Sequence, residues 1–502
     1  MENFYFNLSG GINQNSTKTE LGMDTKNIYW ADAENVEIYQ SKGIIRQKGN
    51  VLFAQIPDDE KILGLHEMKY GSKHQLIIVT DTGKIYIGDN GTLKILDKVL
   101  KSDRISFTNF LNGTLVSGNR DEMFFIKNND NLDIDSCNLT KSDGTPVYSE
   151  VVTVYKGRVW VADGSTIYFS ALGSYNDFTT ENDAGYINDF YTDTDKISAL
   201  KTYKDYLAIY KENSTYLLSG SNPEDFAIIP FADKGAVSHK SIVSVNNKQY
   251  FFSSGIYTLE VGTLNQILLG SEITHSIKEE FKKFDTSRKN EIFALNYEDK
   301  NQIWYFIPYK SDEYFHTIWI NDIVNKAWYK RVLPQDVTTA CIFEKNVFTA
   351  DKNGKIYKEN INNTFDGEPI KFVWKSPFLS LGNPTVRKTI DEFYFVLDES
   401  HENNFAYSVF KNYDSENQDD KDSIYSSNIQ NLIWSKENSI IELNDKWPEE
   451  NDEAIWALDV ESMYKAEISE ANYAIQLCVE GNKTENNLAI IGLQFKEIYC
   501  ED

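Results

Sequence analysis

The sequence predicts an all-β protein: a β-propeller of about seven irregular blades, followed by a C-terminal β-sandwich-like domain. Two observations predict this fold. A hairpin pattern recurs between residues 76 and 357, and its copies are spaced by about 45 residues, which is typical of four-stranded propeller blades. After residue 365 the repeat ends and longer strands follow.

The clearest hairpin joins two apolar runs through a turn at Asp81-Thr82-Gly83. The runs are Leu76-Ile77-Ile78-Val79 and Lys84-Ile85-Tyr86-Ile87. β-Branched and aromatic side chains suit a half-buried pleated surface, and Asp and Gly supply the hydrogen bond and the positive φ of a tight turn. Six further hairpins are predicted at 114–117 with 123–126, 159–162 with 166–169, 206–210 with 216–218, 250–252 with 256–259, 303–306 with 317–320, and 347–350 with 355–357.

Most of these hairpins follow another apolar strand, so each repeat is expected to have three or four strands. These strands are predicted at 62–65, 105–107, 149–154, 197–200, 242–245 and 339–343. One segment breaks the strand periodicity. Its apolar residues stand at 273, 277, 281 and 284, and this spacing predicts a short helix on the propeller rim.

We divide the chain into an N-terminal arm and hairpin that join the propeller (1–55), the propeller (56–365) and an acidic C-terminal β-domain (366–502). The arm carries a candidate assembly site, formed by Gly10, Gly11, Ile12, Asn13 and Trp30. Two adjacent glycines allow backbone conformations that other residues resist. The alternative interpretation is a surface strand with no docking role.

The composition argues against a surface that binds nucleic acid. The formal net charge is −26, and the pI is near 4.7. Binding through phosphate neutralisation needs clustered Lys and Arg, whereas an acidic wall repels DNA. The aromatic content of 14% and only 10 prolines indicate an ordered chain.

The negative charge is concentrated near the C-terminus. Residues 391–502 contain 26 acidic and 7 basic residues, a net charge of −19. Acidic loops here are either a solvated face or the lining of a channel for a polyanion, where like charge prevents sticking. The candidate lumen-facing residues are Asp414, Glu416, Asp419, Asp420, Asp422, Glu449, Glu450, Asp452 and Glu453.

No catalytic chemistry is supported by a motif. The six histidines have no metal-ligand spacing, the four cysteines are dispersed, and no nucleophile elbow or phosphate-binding glycine loop is present. A lone Asp193-Thr194-Asp195 is either a turn or a weak Ca²⁺ site. We therefore predict a protein without catalytic residues, resident metal or cofactor, and with no membrane-spanning segment.

Three N-terminal motifs occur in order: Gly10-Gly11-Ile12-Asn13, then Ala33-Glu34-Asn35-Val36-Glu37, then Gly43-Ile44-Ile45-Arg46-Gln47-Lys48-Gly49. Together they resemble the N-terminus of the propeller-containing tail proteins of short-tailed bacteriophages, the nozzle or hub proteins. The resemblance continues at 219–226, 234–243 and 249–257, and at Trp374-x-Ser376-Pro377 and Arg387-Lys388-Thr389-Ile390.

The resemblance implies a structural virion protein located in the phage tail and assembled in the host cytoplasm. It implies a homohexameric ring that extends the portal and adaptor channel as part of the head-tail connector, retains packaged DNA and conducts it on ejection. The implied partners are portal or adaptor ring proteins, tail fibre, spike or needle proteins, and viral DNA that passes without sequence-specific binding.

Two other functions fit the predicted fold. One is a carbohydrate-binding or glycan-cleaving propeller in host receptor recognition, because 76 acidic residues leave room for a pair of catalytic carboxylates. The other is a monomeric interaction scaffold, since many unrelated functions use propellers.

Overall fold

The structure is a computed structural model of the 502-residue chain. It describes residues 2–22, 27–89, 92–188, 190, 194–263, 266–398, 400–414, 416, 420–426, 433–436, 439–442, 461–466, 468 and 471–500. The chain forms two compact units. Unit 1 comprises Met1–Gly49, Val324–Arg331 and Asn363–Asp502, and unit 2 comprises Asn50–Ile323 and Val332–Asn362.

Unit 2 is a β-propeller, and its first five blades are separate four-stranded antiparallel sheets. Within each blade, consecutive strands pair as hairpins, as the sequence predicted. Blade 1 contains Ile62–Tyr70, Lys73–Thr80, Lys84–Asp89 and Thr92–Val99; blade 2, Ile105–Phe110, Gly113–Gly118, Phe124–Lys127 and Ile134–Ser136; blade 3, Val151–Tyr155, Arg158–Asp163, Thr166–Phe169 and Gly185–Ile187; blade 4, Ile197–Tyr203, Tyr206–Lys211, Thr215–Ser219 and Ala227–Ala232; blade 5, Val243–Val245, Lys248–Phe252, Ile256–Val261 and Ile267–Leu269.

The last two blades complete the propeller. Blade 6 contains Phe293–Tyr297, Gln302–Phe306 and Phe315–Asp322. The next strand, Ala327–Phe343, supplies the inner strand of blade 7 through residues 337–343, which pair with Asn346–Asp351. Lys355–Glu359 follows, and the outermost strand is Asn50–Gln55. The propeller is therefore closed by pairing the first strand of unit 2 with its last one.

Hydrophobic clusters fill the spaces between neighbouring blades. Between blades 7 and 1, Phe348 and Ala350 belong to the same cluster as Ile78 and Tyr86. Further clusters join blades 1 and 2, 2 and 3, 3 and 4, and 4 and 5. Because each blade buries both faces, its middle strands are almost continuously apolar, which explains why the hairpins stood out in the sequence.

The first strand of each blade is its inner strand, and inner strands contact each other between blades 1 and 2, 2 and 3, 3 and 4, and 5 and 6. Hydroxyl groups join these strands. Thr338 Oγ1 donates to the carbonyl of Ile62 over 2.6 Å, and Thr202 Oγ1 donates to that of Val154 over 2.7 Å. Side chains thus satisfy carbonyls at the inner edges that no further strand covers.

The predicted helix over 273–284 is wrong. The segment forms 3₁₀ turns at His275–Ile277 and Glu280–Lys282. Ile277 is buried, and the Phe281 ring stacks on Phe252 of blade 5 at 5.6 Å between centroids. Packing on the blade decides this conformation, because a helix this short gains little stability of its own. The other short elements are the α-helix Lys18–Leu21 and 3₁₀ turns at Pro57–Asp59, Pro223–Asp225, His239–Ser241, Thr286–Glu291 and Glu298–Lys300.

Unit 1 is a β-sandwich. One sheet contains Val36–Tyr39, Gly43–Arg46, Ala489–Cys500, Lys388–Asp398 and Glu461–Ala466, with Glu2–Phe6 also paired to Ala489–Cys500; the other contains Asp32–Glu34, Phe372–Lys375, Ile475–Gly481, Asn403–Lys411 and Asp420–Ser426. The Phe395 ring of the first sheet packs on Phe405 and Tyr407 of the second, at 5.6 and 5.3 Å. Smaller strand pairs are Thr364–Phe365 with Glu368–Pro369, and Ile433–Lys436 with Ser439–Glu442.

The N-terminal segment differs from the predicted division in one respect. Residues 2–49 belong to the same unit as the C-terminal strands rather than to a part that joins the propeller. The physical reason is strand pairing: Asp32–Glu34 pairs with Phe372–Lys375, and Gly43–Arg46 pairs with Ala489–Cys500. Within the part of the chain that is described, no helix is long and apolar enough to cross a membrane.

Candidate functional site

The candidate assembly residues are part of the folded core of unit 1. Ile12 and Trp30 are buried, and Ile12 N–H donates to the carbonyl of Trp328 over 2.8 Å. Trp30 Nε1 donates to the carbonyl of Leu8 over 2.6 Å. In the single chain these side chains hold the arm in place, and their role in assembly stays a prediction.

The two glycines of the arm are required by close packing. Gly11 has a φ of +67°, and a Cβ atom there would lie 2.7 Å from Ala327 Cβ. A Cβ atom on Gly10 would lie 2.5 Å from the carbonyl oxygen of Ile28. Asn13, which follows, turns the chain by accepting the N–H groups of Asn15 and Ser16 on its side-chain oxygen.

The acidic loops are described only in part. Asp414, Glu416 and Asp422 are exposed, and Asp420 lies at the start of the strand Asp420–Ser426. Exposure fits both a solvated face and a channel lining. Asp419, Glu449, Glu450, Asp452 and Glu453 lie outside the described residues, as does Asp193 of the candidate Ca²⁺ motif.

A cavity of about 800 Å³ lies at one end of the propeller centre. Its wall is formed where the inner strands begin, and a charged residue immediately precedes four of them: Lys61, Arg104, Glu150 and Lys196. We call this the central cavity. Sequence reasoning missed it, although a charge directly before an apolar inner strand, repeated from blade to blade, is the signal that could have found it.

The three arginines of the central cavity all pair with carboxylates. Arg104 Nε lies 3.4 Å from Glu150, and Arg120 lies 3.0 Å from Asp103. Arg288 forks onto Glu291 at 2.7 Å and also donates to the carbonyls of Asp312 and Glu313. Bidentate pairing of this kind fixes the geometry of the guanidinium group.

The lysines of the central cavity are arranged differently. Lys61 Nζ lies over the ring of Tyr314, 5.2 Å from its centroid, while Lys196 and Lys240 are solvent-accessible. Burial lowers the pKa of Lys240, although the Glu150 carboxylate acts against that shift. Burial likewise raises the pKa of Glu150, which Arg104 and Lys240 oppose. Lys240 and Glu150 are therefore partly surrounded by protein, although both remain accessible to water.

His239 belongs to this wall, whereas His66 and Lys201 lie on inner strands and do not line the cavity. Lys201 lies on the inner strand of blade 4, and burial lowers its pKa to about 8. His66, on the inner strand of blade 1, stacks on Phe107 at 5.2 Å, and burial lowers its pKa to about 4. Burial also holds the pKa of His239 well below its usual range. Both histidines are therefore neutral at pH 7.

The described residues contain no group of three or more His, Cys, Asp or Glu side chains placed to hold a metal ion. The four cysteines are free thiols; Cys137, Cys341 and Cys478 are buried, and Cys500 is exposed. A second cavity, of about 650 Å³, lies between blades 3 and 4, and its lining includes Phe169, Tyr186 and Phe226.

Comparison with known proteins finds distant similarity to solved structures. No family model matches the chain, and no curated protein sequence matches it. Among solved structures it is similar to YCF48 bound to D1 peptide, with 12% identity, a TM-score of 0.39, and coverage of 61% of this chain and 94% of that chain. It is also similar to the Neurospora crassa Pan2 WD40 domain, with 10% identity, a TM-score of 0.42, and coverage of 63% and 97%.

Proposed function

We propose that this chain is a structural virion protein that forms a ring in a short phage tail, retains packaged DNA and conducts it on ejection. One observation carries the proposal. Two segments that separately resemble the tail nozzle or hub proteins, Ala33–Glu37 and Trp374–Pro377, lie far apart in the sequence, yet Ala33 pairs directly with Trp374. A chance resemblance in two distant segments would not predict that they form one sheet.

The ring is proposed to be a hexamer by the same resemblance. Identical subunits that pack through heterologous interfaces close around an axis and create a lumen without a dedicated pore domain. Its neighbours would be portal or adaptor ring proteins on one side and tail fibre, spike or needle proteins on the other. The net charge of −26 suits a conduit, because like charge keeps DNA from adhering to the wall.

The alternative, a glycan-binding or glycan-cleaving propeller, has one observation in its favour. The central cavity holds an aromatic ring, Tyr314, together with carboxylates. However, Lys61 and Lys352 both lie over that ring, and Glu150 and Glu291 are paired with arginines. These pairings leave the ring face and the carboxylates less available to a sugar than in an open aromatic pocket.

Sedimentation velocity over a range of protein concentrations separates the two proposals. The ring proposal predicts one discrete oligomer, with a mass that is a fixed multiple of 57.7 kDa. A glycan array run on the same sample tests the alternative. A monomer at every concentration that binds a defined glycan would replace the ring proposal with the glycan-binding one.

A further inference from the structure

The central cavity of unit 2 is positively charged in a strongly negative protein. Its wall carries six Lys or Arg side chains and four Asp or Glu side chains, whereas the whole chain has a formal charge of −26. The cations are Lys61, Arg104, Arg120, Lys196, Lys240 and Arg288, and the anions are Asp103, Glu150, Glu291 and Glu313. The charge of this concave wall is opposite in sign to that of the whole protein. Such a wall concentrates the electrostatic field on a ligand that enters the cavity.

The excess charge resides on lysines. The three arginines are occupied by Asp103, Glu150 and Glu291. Among the described residues, the wall lysines Lys61, Lys196 and Lys240 form no ion pair, although Lys61 lies over the Tyr314 ring. A lysine ammonium carries three donors, and within an enclosed wall an unused donor has to be satisfied by solvent or by a ligand.

Lys201 and Lys240 lie on different elements, and the charges of both affect the same two histidines. Lys201 lies on the inner strand of blade 4, and Lys240 lies in the 3₁₀ turn before blade 5. The positive charges of both lower the pKa of His66, which stands on the inner strand of blade 1. Both also lower the pKa of His239. Both ammonium groups therefore act on the same two histidines, and of the two only Lys240 belongs to the cavity wall.

We propose that the central cavity of the propeller binds a small multivalent oxyanion, a di- or tricarboxylate or a pyrophosphate-like group, held by Lys61, Lys196 and Lys240 of its wall. The ion pair of Arg104 and Glu150 lies beside these lysines in the cavity wall. This inference concerns unit 2 alone and is independent of the ring proposal.

The size and charge of the site favour a small ligand over a polymer. A volume of about 800 Å³ is within the usual range of small-molecule sites. Sequence-independent DNA binding needs many exposed Lys and Arg along a groove, and here the arginines are already engaged. Several separated ammonium groups match an anion with more than one charged end better than a single chloride.

Isothermal titration calorimetry at pH 7 with citrate and, separately, with sodium pyrophosphate tests the proposal. The protein variants are Lys196→Gln, Lys240→Gln and the double substitution, and the matched control is Lys278→Gln, which neutralises an exposed lysine outside the cavity wall. We expect saturable 1:1 binding, weakened about tenfold by each single substitution and unchanged in the control. Whether citrate or pyrophosphate binds more tightly identifies the carboxylate or phosphate class.

Thermal unfolding provides the second readout. The two neutral substitutions remove like charges from one enclosed space, so the ligand-free variants should unfold at or above the temperature of the unsubstituted protein. Stabilisation by citrate or pyrophosphate should decrease in the single variants and disappear in the double variant. Two results would overturn the proposal: no binding beyond that of sodium chloride at equal ionic strength, or equal binding by the double variant.

Discussion

Ala33 and Trp374 are direct partners in an antiparallel strand pair, although they stand far apart in the sequence. Both are fully buried. Around this pair, the hairpin Val36–Arg46 and the last strand, Ala489–Cys500, complete the sandwich of unit 1. The two ends of the chain thus form one unit, and most of the sequence between them forms the other.

Gly11→Ala should destabilise unit 1 by about 2–4 kcal/mol, because the new methyl group meets Ala327 and Trp328 and the backbone φ is positive. Urea denaturation followed by fluorescence measures the change. Gly367→Ala in the same unit is the matched control, since its φ is also positive but open space surrounds it. We expect the control to cost about 1 kcal/mol, and equal costs would refute the packing argument.

Asn50→Ala should weaken the closure of the propeller. Asn50 Nδ2 donates to the buried Glu359 carboxylate over 3.0 Å, and Thr349 Oγ1 donates to the same oxygen over 2.7 Å. Removing one donor from a buried carboxylate costs about 1–3 kcal/mol. Gln55→Ala, at the exposed end of the same strand, should change the free energy of unfolding by less than about 0.5 kcal/mol. A smaller loss for Asn50→Ala than for this control would show that the contact does not stabilise the closure.

Lys201→Gln should have a pH-dependent effect on stability. Burial lowers the pKa of Lys201 to about 8 in the folded protein, below that of an unfolded lysine. The unfolded state therefore binds more protons between these values, so the destabilisation caused by Lys201 is complete below pH 8 and fades as the pH rises towards about 10.5. His66, His239, Lys240 and Glu150 face the same interior.

The measurement compares the unfolding temperatures of the variant and the unsubstituted protein at pH 7 and pH 10. At pH 10, the unfolding temperature of Lys201→Gln should exceed that of the unsubstituted protein by less than it does at pH 7. Titration of the other groups is common to both proteins and largely cancels. A difference that stays constant with pH would contradict the lowered pKa of Lys201.

Thiol labelling should distinguish one cysteine from the other three. Cys500 is exposed, whereas burial raises the pKa of the Cys137 thiol to about 12 and also raises that of Cys341. Ellman's reagent at pH 8 should titrate one thiol per native chain within minutes and four in urea. Cys500→Ser should abolish the fast phase, and a fast phase that persists in this variant would contradict the burial of the other thiols.

The propeller could be predicted because its signal is local. The turn at Asp81-Thr82-Gly83 and the apolar runs beside it are contiguous, and the structure confirms that blade 1 pairs Lys73–Thr80 with Lys84–Asp89. The strand Asn50–Gln55 could not be assigned to blade 7 in this way. Its partner, Lys355–Glu359, is more than half the chain away, and nothing in its own pattern specifies that pairing.

The central cavity escaped prediction for a related reason. Lys61, Arg104 and Lys196 lie in three separate loops, and only closure of the propeller brings them to one wall. Lys201 is harder still to recognise, because a lysine within an apolar strand is usually read as a solvent-facing residue. The prediction of a helix over 273–284 is wrong because the Phe281 ring packs on Phe252. The periodicity of apolar residues gives no information about such a contact.

Negative-stain electron microscopy of the purified full-length chain tests the ring proposal most directly. The proposal predicts class averages of closed rings with an open centre and a uniform number of subunits, six by the resemblance to tail nozzle or hub proteins. Single particles the size of one 57.7 kDa chain at every protein concentration, without closed rings, would contradict it.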